Sequence, residues 1–203
     1  MIYNHHLFVM ARPREFDRDE ALAKATAVFW DRGYAATSTD ELLKAMGIGR
    51  QSLYNAFGDK RRLYLEALER YQADSTAAHL RRLDDPTSPI EGLKALLVGL
   101  VPKDDRLRAM GCLGVGALGE FGISDAELVA LRAKVGPLML RRLVARIREG
   151  QASGEIDPAM DPKTAAQNVQ LSMQALQLAA RAGASWEDLR DQALFIVDRL
   201  KRP

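Results

Sequence analysis

The sequence predicts an all-α fold, and three observations carry that prediction. Runs rich in Ala, Leu, Glu and Arg recur with heptad-like spacing along most of the chain. Alternating clusters of β-branched residues, which mark strands, are missing. Helix-stop signals separate the periodic runs: Gly33, Gly47, the segment Asp84-Asp85-Pro86-Thr87-Ser88-Pro89, Pro102, and Gly154-Glu155-Ile156-Asp157-Pro158. With 203 residues and 47% hydrophobic side chains, the chain can bury a substantial core in one or two domains.

The opening residues 1–9 lack a basic n-region and a small-residue cleavage site, so they are not a signal peptide. They are expected to be disordered, with Met10-Ala11-Arg12-Pro13-Arg14 resembling a natural start. Arg12 and Arg14 form a short basic arm, either for phosphate or minor-groove contact or simply a solvated tail. Asp17 then caps a helix with Glu20 at its third position. Leu22, Ala25, Val28 and Phe29 make its apolar stripe, and Gly33 ends it. Tyr34 is expected to pack under the following turn and Trp30 to anchor one domain against another.

From Thr37 to Lys60 the pattern is two short helices joined by a tight turn. Ser38 is an N-cap and Glu41 completes a capping box, because hydroxyl and carboxylate can satisfy each other's orphan backbone N–H groups. Leu42, Ala45 and Met46 follow at helical spacing, and Gly47 stops the helix by entering the left-handed region without a Cβ penalty. Ile48 plugs the angle. A second helix over Arg50 to Phe57 turns Leu53 and Phe57 inward and leaves Arg50, Gln51, Ser52, Tyr54 and Asn55 outward. A narrow buried stripe opposite arginine, amides, a hydroxyl and a phenol suits a DNA major groove. The arrangement is a helix-turn-helix with its recognition helix second. Thr37 and Ser38, at the start of the helix pair, join the candidate DNA contacts.

Lys60 opens a long helix to about Leu83, with Leu63, Ala67, Leu68 and Tyr71 on its apolar side. At that N-terminus, backbone N–H groups already favour an anion, so Lys60 is a candidate phosphate contact. The double-proline segment at 84–89 is a linker, followed by a helix from Ile90 to Val101. Gly114-x-Gly116-x-x-Gly119 formally matches a dinucleotide fingerprint, but no strand precedes it, so the match is rejected. The stretch Gly111 to Gly122 instead predicts a helix softened by glycine at about 1 kcal/mol each. Its Cys112 is either a small buried hydrophobe or a sensor of oxidants and electrophiles. Asp125 begins a helix to about Gln151, kinked at Gly136-Pro137.

The helix from about Pro162 to Ala182 carries two apolar stripes. Val169, Met173, Leu176 and Ala180 lie on one line; Leu171, Ala175, Leu178 and Ala182 lie roughly opposite. The last helix, capped by Ser185 with Asp188 at its third position, aligns Trp186, Leu189, Ala193, Ile196 and Leu200, with Phe195 pointing elsewhere. Helices with two apolar faces need cover on both, from their own domain or a partner chain. The expectation is a four-helix dimer interface built on Val169, Met173, Leu176, Ala180, Trp186, Leu189, Ala193 and Ile196.

The elements Arg32-Gly33-Tyr34-x-x-Thr37-Ser38, Met46-Gly47-Ile48 and Leu53-Tyr54-x-x-Phe57-x-x-Lys60 together resemble the signature of the TetR family of transcriptional regulators. The resemblance is close over the N-terminal quarter and extends further only as helical layout. Gly49 departs from the family's usual serine or threonine cap, and Gln51 from its small residue or proline. The resemblance implies a DNA-binding head at 12–60 and a helical effector-binding and dimerisation body at 61–203. It further implies a homodimer on palindromic double-stranded DNA, acting as a repressor released by a small-molecule effector. Met110, Cys112 and Phe121, in and beside the glycine-rich helix, are the candidate effector contacts.

Composition excludes little on its own. The net charge of +2 splits evenly, since residues 12–70 hold 11 Lys/Arg against 10 Asp/Glu. Local grouping of basic residues, not overall charge, therefore bears on nucleic acid. A single cysteine rules out an intramolecular disulfide and fits a reducing, cytoplasmic setting. No apolar run approaches the roughly 18 residues of a membrane span. His5, His6 and His79 have no metal or catalytic partners within helical reach, so no cofactor, metal or catalytic residue is expected. The competing class is a helical small-molecule-binding protein or enzyme that keeps the head as a relic.

Overall fold

The computed structural model describes residues 16–202. Over that span the chain forms ten helices and no strand, with one isolated bridge between Ile156 and Lys201. Arg12, Arg14 and the opening residues 1–9, expected to be disordered, lie outside the described residues.

The head comprises α1 (Arg18–Arg32), α2 (Thr39–Met46) and α3 (Arg50–Phe57), and α4 (Lys60–Asp84) leads out of it. The body adds α5 (Pro89–Val98), α6 (Asp105–Met110), α7 (Leu113–Phe121), α8 (Ala126–Ser153), α9 (Pro162–Arg181) and α10 (Trp186–Asp198). Eight of these helices begin at an Asp or Ser whose side chain accepts a first-turn N–H, among them Asp17, Ser38, Asp125 and Ser185. The other two start without one, at Gly49 before α3 and Cys112 before α7.

Helices α5 and α6 differ from the sequence expectation, while α8 runs on past Pro137 as expected. α5 starts one residue early, with Pro89 at its first turn, and gives way at Gly99, short of Val101. The six-residue α6 was not anticipated; Asp104 caps it, and it is too short to show a period. α8 continues through Pro137, and Gln170 of α9 donates to the neighbouring Gly136 carbonyl at 3.3 Å.

Two buried clusters hold the molecule. In one, Leu22, Phe29, Leu42, Leu53 and Tyr64 pack with Leu113 and Ala117 of α7 and Leu128 of α8. The head's core therefore continues into the body. In the other, Leu93, Leu97, Leu143, Ile147, Val169, Leu176 and Ala193 join α5, α8, α9 and α10. Each such leucine contributes about 1.5–3 kcal/mol by leaving water. Gly92 lets α5 cross the end of α4, because a Cβ there would lie 2.2 Å from the Leu83 carbonyl oxygen. Buried Arg146 closes the linker by donating to the Pro86, Thr87 and Ser88 carbonyls and to Glu149.

Candidate nucleic-acid interface

The helix-turn-helix is built as its sequence dictates. Ser38 Oγ accepts the Glu41 N–H at 3.2 Å, and the Glu41 carboxylate accepts from the Ser38 N–H at 2.8 Å. Those Ser38 bonds, aided by Arg32, hold the Glu41 carboxyl below the usual carboxylate range. Gly47 sits at φ 69°, ψ 31°, the left-handed stop. Leu53 and Phe57 are buried, and this fixes which way the rest of α3 faces.

Arg50, Gln51, Tyr54 and Asn55 are exposed and Ser52 is half-buried, so the polar side of α3 meets solvent. Gln51 Nε2 donates to Asn55 Oδ1 at 2.9 Å one turn later, holding two amides side by side. Arg50 Nη2 lies 2.5 Å from Asp40 Oδ1 on α2. Tyr54 is 46% exposed. The Lys60 ammonium lies 4.2 Å from the centre of the Tyr34 ring, so a cation–π contact steadies it at the start of α4. From behind, Arg18 braces α3 against α4, bridging Glu66 at 2.5 and 2.7 Å and donating to the Ala56 carbonyl.

One candidate contact is corrected. Thr37 is 1% exposed and its hydroxyl donates to the Gly33 carbonyl at 2.6 Å. Its side chain fastens the turn between α1 and α2 and cannot reach a ligand. Ser38 is exposed, but its hydroxyl is engaged in the cap. Sequence reasoning passed over Lys44, exposed one turn beyond Asp40 on the same side of α2.

The head is tied to the body by contacts that sequence spacing does not reveal. The Glu120 carboxylate, at the end of α7, accepts the N–H groups of Tyr34 and Ala35 at 3.0 and 2.6 Å. Arg181, at the end of α9, donates to the carbonyls of Trp30, Asp31 and Met110, where α1 and α6 terminate. Trp30 Nε1 donates to the Gly111 carbonyl at 3.1 Å, which makes Trp30 the interdomain anchor expected of it. Arg61 pairs with Asp125 at 2.6 Å.

Comparison with known proteins fits this geometry. The model of "Bacterial regulatory proteins, tetR family" matches residues 21–67. A solved structure of the TetR family transcriptional regulator CifR, a cysteine mutant complexed with 26-bp double-strand operator DNA, is 32% identical. The match covers 94% of this chain and 100% of that one, at a TM-score of 0.77. The chain belongs to the TetR family. Curated relatives agree. The transcriptional repressor ComR of Escherichia coli K12 is 29% identical over 180 residues, 88% of this chain and 86% of ComR. The regulator YezE of Bacillus subtilis 168 is 38% identical over 120 residues, 59% of this chain and 62% of YezE. The protein is a TetR-type DNA-binding transcriptional regulator and not an enzyme. No helix among the described residues is long and apolar enough to cross a membrane.

In this TetR-family regulator the body departs from the sequence expectation in two ways. Val169, Met173, Leu176 and Ala180 are buried within the protomer, as are Leu189 and Ala193, with Trp186 and Ile196 packed against the same core. The six buried residues cannot be the dimer surface, because their own chain already covers them, whereas Trp186 and Ile196 are half-buried and keep part of their surface open. The opposite stripe is open: Leu171 and Leu178 are 64% and 61% exposed, and Phe195 on α10 is 60% exposed. Of the three candidate effector contacts, only Cys112 lines the cavity of about 230 Å³ between α4, α7, α8 and α9. Met110 borders a different groove against α1. Phe121 packs on Tyr34 and Tyr64 beneath Arg61, inside the seam between head and body.

Proposed function

We propose that this regulator is a cytoplasmic homodimeric repressor whose two heads (residues 12–60) grip a roughly palindromic operator and let go when an effector enters the body (residues 61–203). The observation that carries the reading is the outward polar side of α3 over a buried Leu53–Phe57 stripe. Arg50 and Gln51 are suited to base edges in a major groove, Asn55 to adenine, and Tyr54 and Lys60 to phosphates. The first turn of α3 has no side-chain cap. Its free N–H groups are available to a phosphate oxygen.

Dimerisation uses Leu171, Ala175 and Leu178 of α9 and Phe195 of α10, the apolar surface that the protomer leaves uncovered. A two-fold axis through that surface pairs the heads and demands two half-sites about one helical turn apart, or a multiple of it. The effector enters the α4–α9 cavity, where the uncapped, glycine-rich α7 forms one wall. The other end of α7 carries Glu120, which holds the α1–α2 turn. A shift of α7 therefore reaches the head directly. A coupling of about 1–3 kcal/mol is the usual scale of such a device.

A gel shift with duplex from the protein's own promoter region tests the reading, since repressors of this kind often control their own genes. Retarded DNA competed only by the same sequence supports it. Binding no tighter than to unrelated duplex counts against it.

A further inference from the structure

The cavity between α4, α7, α8 and α9 has an unusual electrostatic make-up for its size. Arg132 of α8 lines it, and no Asp or Glu does. Arg132 Nη2 donates to the Gly122 carbonyl at 2.5 Å, while Nη1 is buried with no hydrogen-bond partner. Among the described residues no carboxylate pairs with this guanidinium, unlike those of Arg18, Arg61, Arg142 and Arg146. Arg132 is half-buried, and its inner Nη1 has lost water without gaining a hydrogen-bond partner, which is costly. Across the cavity, Gln72 Oε1 is likewise buried and unpartnered. Rotating that amide exchanges acceptor for donor with no change of shape, so Gln72 can serve an anion as readily as a donor.

His79, also in the lining, adds no second charge. Arg82 Nη1, which can only donate, lies 3.3 Å from His79 Nδ1, so that nitrogen carries a lone pair and the ring is neutral. Val115, Leu118 and Val135 make an apolar wall, while Ser75, Thr76 and Gln174 add neutral polar groups. At about 230 Å³ the cavity falls below the range of drug-sized sites. A hydrated phosphate or sulfate would leave that apolar wall unused. An acid with a short tail would use both parts.

We propose that this cavity takes a small organic monocarboxylate, its carboxylate held by the Arg132 guanidinium and the Gln72 amide as these side chains turn toward it, and its aliphatic or aromatic tail against Val115, Leu118 and Val135. The assignment rests on the reading of this cavity as the effector site and adds the ligand's class. The carboxylate completes the guanidinium's hydrogen bonding, and its tail displaces water from the α7 wall.

The experiment compares propionate, hexanoate and benzoate with propionamide, hexanamide and benzamide at constant ionic strength. The readouts are thermal unfolding of the full protein and its affinity for promoter duplex. One or more carboxylates should raise the melting temperature and weaken DNA binding, with the matching amides inert. Arg132→Gln should weaken the carboxylate by about tenfold or more, and Arg132→Lys should keep part of it. Amides equal to acids, undiminished binding by both variants, or no response to any acid would overturn the proposal. The comparison of acids with amides in the parent protein needs no variant, so a misfolded substitution cannot hide the answer. Promoter binding measured without any additive reports separately on the DNA-binding reading, which can stand while the ligand class falls, or the reverse.

Discussion

The exposed stripe of α9 yields the most quantitative prediction. Leu178 is 61% exposed on the protomer. Full burial of a leucine contributes about 1.5–3 kcal/mol, so covering this remaining surface contributes about 1–2 kcal/mol. A two-fold interface counts every residue twice, and the dimer gains about 2–4 kcal/mol from the Leu178 pair. Leu178→Glu removes that gain and faces two carboxylates across the axis. The dimer dissociation constant should rise by about 30-fold or more. Sedimentation equilibrium over a concentration series measures it, with helical content by circular dichroism showing that the protomer is intact. The control is Met173→Ala, on the stripe buried within the chain. It should cost about 2–5 kcal/mol of folding stability and leave the intrinsic dimer constant nearly unchanged. A parent-like dimer for Leu178→Glu, or selective dissociation of Met173→Ala, would refute the assignment of faces.

Three further outcomes are expected. Asp40→Asn frees Arg50 from a partner 2.5 Å away and removes an anion close to the phosphates. An exposed pair holds about 0–1 kcal/mol, so anisotropy titrations should show about two- to fivefold tighter DNA binding, and weaker binding would contradict the docking face. Gly92→Ala places a methyl against the Leu83 carbonyl and should cost about 1–3 kcal/mol, whereas Gly116→Ala, with nothing within 4 Å, should stabilise α7 by about 0.5–1 kcal/mol; thermal melts separate the two. Burial, reinforced by Arg82, pushes the His79 pKa down from 6.5 to about 4. Between those values the unfolded chain binds a proton that the folded chain refuses, so stability is full above about pH 6.5 and is lost as pH falls toward 4. Unfolding free energies from urea titrations should therefore drop from pH 7 to pH 5 by up to about 2 kcal/mol more in the parent than in His79→Gln.

Local signals were legible and distant ones were not. The Ser38–Glu41 capping box, the Gly47 stop and the Ser185 cap follow from rules that span only a few residues, and the structure has each where the sequence puts it. The buried side of α3 was legible for the same reason, since Leu53 and Phe57 are the only large apolar pair at helical spacing there. Periodicity also showed that α9 has two apolar faces. It carries no sign saying which face meets its own protomer, because Val, Met, Leu and Ala on one side balance Leu and Ala on the other. The contacts that decided the matter come from α5, α8 and α10, far along the chain. The same limit hid the links from Glu120 and Arg181 to the head, which join residues 85 to 151 positions apart. Thr37 looked like a surface hydroxyl beside a cap until its bond to Gly33 closed the turn around it.

Methylation protection on promoter DNA bears most directly on the claim that α3 reads a duplex. Two patches of shielded guanine N7 atoms should appear in major grooves on one face of the helix, about ten base pairs apart or a multiple of that. Arg50→Ala should erase or move the protected guanines, while Lys60→Ala should weaken every site alike and leave the pattern in place. A pattern indifferent to Arg50, Gln51 and Asn55, or no protection at any concentration that shifts the DNA, would contradict the account.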